Sequence, residues 1–118
     1  LLLQLGDAGG IEATGYISIF IRGTTGGGIT GATSTAGFIL ADPTATVANT
    51  FSGQVVLSLQ DTSNTWTASG SLSCTNDLSL HTSAGRKATS ATLDRVRLTT
   101  VGGTANFDAG AINISYER

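Results

Sequence analysis

Residues 65–74 read TWTASGSLSC, and every second position changes character. Trp66, Ala68, Gly70, Leu72 and Cys74 fall on one side; Thr65, Thr67, Ser69, Ser71 and Ser73 fall on the other. Side chains of a strand alternate between two faces, so this run is a β-strand with one dry and one wet face. Upstream, FSGQVVLSLQD (51–61) puts Val55, Leu57 and Leu59 on one face. The intervening DTSN is rich in residues whose side chains bond their own backbone, which makes the pair a hairpin.

The same period of two recurs in both directions. In TGYISIFIRG (14–23), Ile17, Ile19 and Ile21 alternate with Tyr16, Ser18 and Phe20, and the aliphatic set is expected to face the core. LLLQLGD opens the chain as a strand entering a turn, and GFILAD is a short strand that stops before Pro43. Residues 23–36 hold five glycines within their first nine positions and read as a flexible loop or insertion. DLSLHTS gives an alternating pair, Leu78 and Leu80, with His81 opposite at the surface. AGRKATSA reads as a loop. TLDRVRLTTV turns Val96 and Leu98 inward and Arg95 and Arg97 outward. AINISYE carries Ile112, Ile114 and Tyr116 against Asn113, Ser115 and Glu117. The last two runs are expected to form a closing hairpin, with Phe107 plugging one end of the core. Helical periodicity is nearly absent. About eight strands joined by short turns predict an all-β, antiparallel, jelly-roll-like sandwich forming a single domain over residues 1–118.

Composition narrows the function. Of 118 residues, 12% are charged and the net charge is −2, which gives no electrostatic pull toward nucleic acid or anionic membranes. The apolar runs are far shorter than the ~20 residues of a membrane-spanning helix. Cys74 is the only cysteine, so no intrachain disulfide forms, and a buried small hydrophobe is the expected role. One cysteine and one histidine cannot complete a zinc site. No cofactor motif is present: GTTGGGITG lacks the lysine-hydroxyl ending of a phosphate loop. His81 is the one imidazole base, there is no G-x-S-x-G elbow, and the eight carboxylates are scattered through turns. Asn113–Ser115 matches a glycosylation sequon, a short pattern frequent by chance.

Asp94, Arg95 and Arg97 form the one dense charge cluster, with Arg86 and Lys87 upstream and within reach. A strand-end salt bridge or a pair fixing the register of an oligomer would each use them. Asp94, on the side of Val96 and Leu98, is expected near the edge of the core. Tyr16, Phe20, Thr25 and His81 are candidates for a receptor-facing surface, with 23–35 and 77–87 as contact loops; Trp66 is expected in the core.

Residues 3–16 (LQLGDAGGIEATGY), 58–70 (SLQDTSNTWTASG) and 87–117 (KATSATLDRVRLTTVGGTANFDAGAINISYE), taken in order, resemble a C-terminal β-rich domain of tail-fibre and other virion structural proteins of tailed bacteriophages. The resemblance covers roughly half of the chain, and residues 23–36 match least. It implies a non-enzymatic module of a virion, assembled in the bacterial cytoplasm. Such a module attaches to a host surface glycan or protein, alongside other virion proteins, as a homotrimer. It also implies further strands before residue 1, so the chain is expected to be a fragment. A capsid decoration protein is the alternative, and a small carbohydrate-active enzyme a third.

Overall fold

The computed structural model describes residues 1–44 and 48–117. Among them there is no helix; the chain forms nine strands in two antiparallel sheets. In order these are β1 (Leu2–Asp7), β2 (Gly10–Ile11), β3 (Ile17–Thr24), β4 (Ile29–Ser34), β5 (Phe38–Ile39), β6 (Phe51–Leu59), β7 (Thr65–Cys74), β8 (Ser79–Ala88) and β9 (Arg95–Thr99). Five strands form one sheet in the order β4-β3-β8-β7-β6. The other four gather around β1, which pairs with β9 on one edge and with both β5 and β2 on the other. The two sheets press together as an all-β sandwich.

The β6–β7 hairpin follows the alternation of its sequence: Leu57 pairs with Ala68, Val55 with Gly70 and Gly53 with Leu72, and this row faces the core. Asn64 takes a left-handed backbone at the turn (φ 58°), a conformation asparagine tolerates. Cys74 is buried, and Trp66, Val96 and Leu98 pack against the main cluster.

β3 has the opposite face inward from the one its isoleucines suggest. Tyr16, Ser18 and Phe20 are buried, whereas Ile17 is 64% exposed and Ile19 and Ile21 also face solvent. The cause lies in the partner surfaces. Ser18 and Ala68 both flank Gly85 across the five-stranded sheet. These small residues form a shallow seat for the Phe38 ring, which meets Tyr16 edge-on at 5.1 Å between centroids. A Cβ added at Gly85 would lie 2.8 Å from Phe38 Cδ1 and 2.7 Å from the Ile17 carbonyl oxygen. Ser18 Oγ also accepts the Ile39 N–H at 2.9 Å, which pins β5 over the seat. A one-residue slip would put isoleucine beneath Phe38 and break that bond.

Three other expectations change. Residues 23–36 are not a loop: β4 forms a hairpin with β3 through a turn in which Gly27 N bonds Thr24 O at 3.0 Å. AGRKA is the second half of β8. The closing hairpin does not form. β9 instead takes β1 as its partner, with Leu98 opposite Leu3 and Val96 opposite Leu5. Residues 100–117 contain no strand, and every residue from 101 to 117 is exposed, Phe107, Ile112, Ile114 and Tyr116 included.

Candidate functional site

The outer face of the five-stranded sheet follows from the inverted register. Turning Tyr16 and Phe20 inward leaves Ile17, Ile19 and Ile21 outside, beside Ile29 on β4 and Leu80 on β8. Toward β6 the same face becomes hydroxylic, with Ser69, Ser71 and Thr82 around Val56. Two shallow depressions mark it. One, of about 430 Å³, has Ile17, Ile19, Ala84 and Gly85 as its floor and Thr33, Ser34, Thr35 and Arg86 at its rim. The other, of about 380 Å³, lies between Gln54, Val56, Ser69, Ser71 and Ala84. Their linings carry one charge, that of Arg86, and no carboxylate or imidazole. The linings of these two depressions hold apolar and hydroxyl groups and no pair of groups placed for proton transfer.

The chemically versatile side chains lie inside, on the inner row of β8. His81 is buried, stacked on Phe20 at 5.8 Å and meeting Phe51 edge-on at 5.3 Å. Its Nδ1 accepts the Asp42 N–H at 3.3 Å, so the remaining proton sits on Nε2 and points to Ser79 Oγ at 3.0 Å. Ser79 in turn donates to Asp77, which also receives Arg22 at 2.7 Å. The hydrogen bonds from Ser79 and Arg22 hold the Asp77 carboxyl far below the usual carboxylate range. Burial holds the His81 pKa below its ordinary value. Aspartate, serine and histidine therefore meet, but in an order unsuited to catalysis. A nucleophilic serine needs the imidazole to take its proton, and here the imidazole gives one while the serine proton goes to Asp77. The cluster clamps the β8 inner row to residue 42.

Lys87 is also inside. Its ammonium pairs with Glu12, donates to Ala88 O at 2.8 Å and lies 5.4 Å from the centre of the Tyr16 ring. Burial opposes ionisation of Glu12, but hydrogen bonds from Lys87 and Ser90 outweigh it and lower the pKa. Tyr16 Oη completes the group. β1 changes partners between Leu3 and Gly6, and no strand covers Leu5 on that edge. There Tyr16 Oη accepts the Leu5 N–H at 2.7 Å and donates to Glu12 O at 2.9 Å.

The residues singled out from sequence are therefore dispersed. Tyr16, Phe20 and His81, expected to face a receptor, are in the core because their rings fill the space between the sheets. Thr25 is exposed, in the turn between β3 and β4. Asp94 and Arg95 pair with each other at 2.6 Å on the surface, so Asp94 is not at the core's edge. Arg97 turns to Gln4 Oε1, with contacts of 2.9 and 2.6 Å. Arg86 stands on the outer face, and Lys87 meets Glu12 rather than Asp94. Glu12, Gln4 and Ser79 escape sequence reasoning because their partners are distant in the chain or appear as ordinary turn residues. Among the described residues, no three His, Cys, Asp or Glu side chains are placed to hold a metal ion.

Comparison of the chain with protein-family models, curated proteins and solved structures finds no match in any of them.

Proposed function

We propose that this chain is a non-enzymatic, self-associating structural module of a bacteriophage virion, of the tail-fibre type, acting in host attachment. The observation that carries the reading is the outer face of the five-stranded sheet. It is a broad, nearly uncharged surface of isoleucine and hydroxyl side chains on a hydrogen-bonded frame, suited to contact rather than turnover. The ordered resemblance of residues 3–16, 58–70 and 87–117 to virion β domains supplies the biological setting. Repeated copies convert weak surface contacts into avidity, which is the mechanism of attachment, and a homotrimer is the expected assembly. Thr25, exposed in the β3–β4 turn, is the residue proposed to meet a host glycan or protein; Arg86, opposite Ile17, stands at the other end of β3.

Electron microscopy of intact particles carrying an antibody label on this chain tests the reading. Label in few copies at the tail tip is expected, with the purified chain competing for phage adsorption. Label spread over the head would instead establish a decoration protein. A particle without the chain, or hydrolysis of host polysaccharide that a single carboxylate substitution abolishes, would overturn the proposal.

A further inference from the structure

The sandwich is closed on one side and open on the other. β5 packs against β3, β4 and β8, so that half of the five-stranded sheet is covered. At the opposite side β9 is the last strand of its sheet, and its outer edge pairs with no strand among the described residues. On the five-stranded sheet the inner row of β6 is only partly covered: Val55 and Leu57 are half-buried against the main cluster, and Leu59 is 53% exposed. Trp66, on the same row of β7, has its indole N–H shielded from solvent without an acceptor. The free edge of β9 and the partly covered inner row of β6 each leave room for a further strand.

The same chain holds an unpaired strand-like segment. Ile112, Ile114 and Tyr116 are 68%, 67% and 81% exposed, and they alternate with Asn113, Ser115 and Glu117. Such binary patterning matches a strand with one dry face. The segment does not reach the gap in its own molecule. After β9, Gly103 N bonds Thr100 O and Thr100 Oγ1 bonds Ala105 O, each at 3.0 Å, fixing a bend from which the remaining residues lead away, fully exposed.

We infer that residues 111–117 of one copy add as an antiparallel strand to the free edge of β9 in a second copy, completing that copy's core. The register that sets Ser115 beside Arg97 is favoured by side chains on both faces. It places Tyr116 and Ile114 next to Val96 and Leu98, on the face that packs against the cluster shared with Leu57 and Trp66. On the outer face Glu117 meets Arg95. β-Strand addition of this kind satisfies the open backbone of the edge while the alternate side chains fill the uncovered row. The inference rests on the reading of the chain as self-associating and names the element responsible.

The experiment mixes two single variants of the chain, Arg97→Cys and Ser115→Cys, with the double variant carrying both run beside them, under mild oxidation and maps the disulfides by mass spectrometry; the native Cys74 is buried and stays out of the reaction. Light scattering on the unmodified chain and on Ile112→Asn/Ile114→Asn runs in parallel. The expected result is a disulfide between chains of different type, and an oligomer that falls to monomer in the double asparagine variant. If the two cysteines join only when placed in the same chain, the segment closes on its own molecule and the inference is overturned. If no disulfide forms and the asparagine variant stays oligomeric, the inference falls while self-association through another face stands. A wholly monomeric chain ends both.

Discussion

Substituting Tyr16→Phe removes one oxygen atom and leaves the ring. The Phe38 contact, the position beneath Lys87 and the burial of the side chain are all retained. What disappears is the acceptor for the Leu5 N–H, at 2.7 Å, and the donor to Glu12 O, at 2.9 Å. Leu5 is fully buried, and its edge of β1 has no neighbouring strand at that point. A buried amide left without a partner costs about 1–3 kcal/mol, so the variant should be about 2 kcal/mol less stable. Unfolding entropy near 2.1 cal/mol/K per residue amounts to about 0.25 kcal/mol/K for 118 residues, which converts the loss to a fall in Tm of about 8 °C. Urea unfolding followed by Trp66 fluorescence should show the midpoint moving down by about 1 M with the slope unchanged. A variant within about 0.5 kcal/mol of the parent would refute the reasoning, since another group would then be satisfying Leu5.

The inverted face of β3 makes a contrast: Ile19→Thr should change stability by less than about 0.5 kcal/mol, whereas Phe20→Ala should cost about 3–5 kcal/mol, both by urea titration. The opposite ranking would restore the isoleucine face to the core. Gly85→Ala forces a methyl group against Phe38 and the Ile17 carbonyl, and should destabilise by about 1–3 kcal/mol in the same assay. His81 supplies a pH dependence. Its folded-state pKa is depressed by burial, and protonation would oppose the Asp42 N–H with a second donor. The unfolded chain takes up the proton near pH 6.5, so the stabilisation is complete above that value and declines as pH falls toward the lower folded pKa. The slope in that window should reach at most about 1.4 kcal/mol per pH unit and should flatten in His81→Gln, measured between pH 7.5 and 5. The carboxylates Glu12, Asp42 and Asp77, all lowered, lose their contributions at more acid pH and do not enter that window.

The β6–β7 hairpin was legible because its alternation, its turn and its position in the fold agree. Fold class followed from the recurrence of that pattern, and Cys74, Leu57, Val96 and Leu98 lie on the faces expected. The reversal at β3 was not legible. Isoleucine and aromatic residues alternate there, both sets are apolar, and the choice depends on Gly85 and Phe38, which reach β3 only through the fold. β8 misled for a related reason. Its inner row is Ser79, His81, Ser83 and Lys87, buried polar groups, while Leu80 and Ala84 stand outside. Burying such residues requires partners, and the partners of His81 and Lys87 are a residue-42 amide and a residue-12 carboxylate, invisible to spacing within one strand. At the C-terminus residues 111–117 alternate as a strand would, yet they form none and lie exposed, because a pattern specifies that a strand wants a neighbour and not which one. β9 gives its paired edge to β1 instead.

The pairing of β1 with β9 also governs the order of events at synthesis. β1 is joined along one edge only when β9 has emerged, with Leu2 set against Thr99 and Gly6 against Arg95. β3 similarly waits for β8. Loop closure over such separations precedes any reward from the contacts, so the chain should fold slowly and pass through a stage in which the apolar residues of β1, Leu2, Leu3 and Leu5, lie uncovered. A chaperone that shields β1 until β9 emerges, more than one acting on the finished product, would then set the yield of native protein.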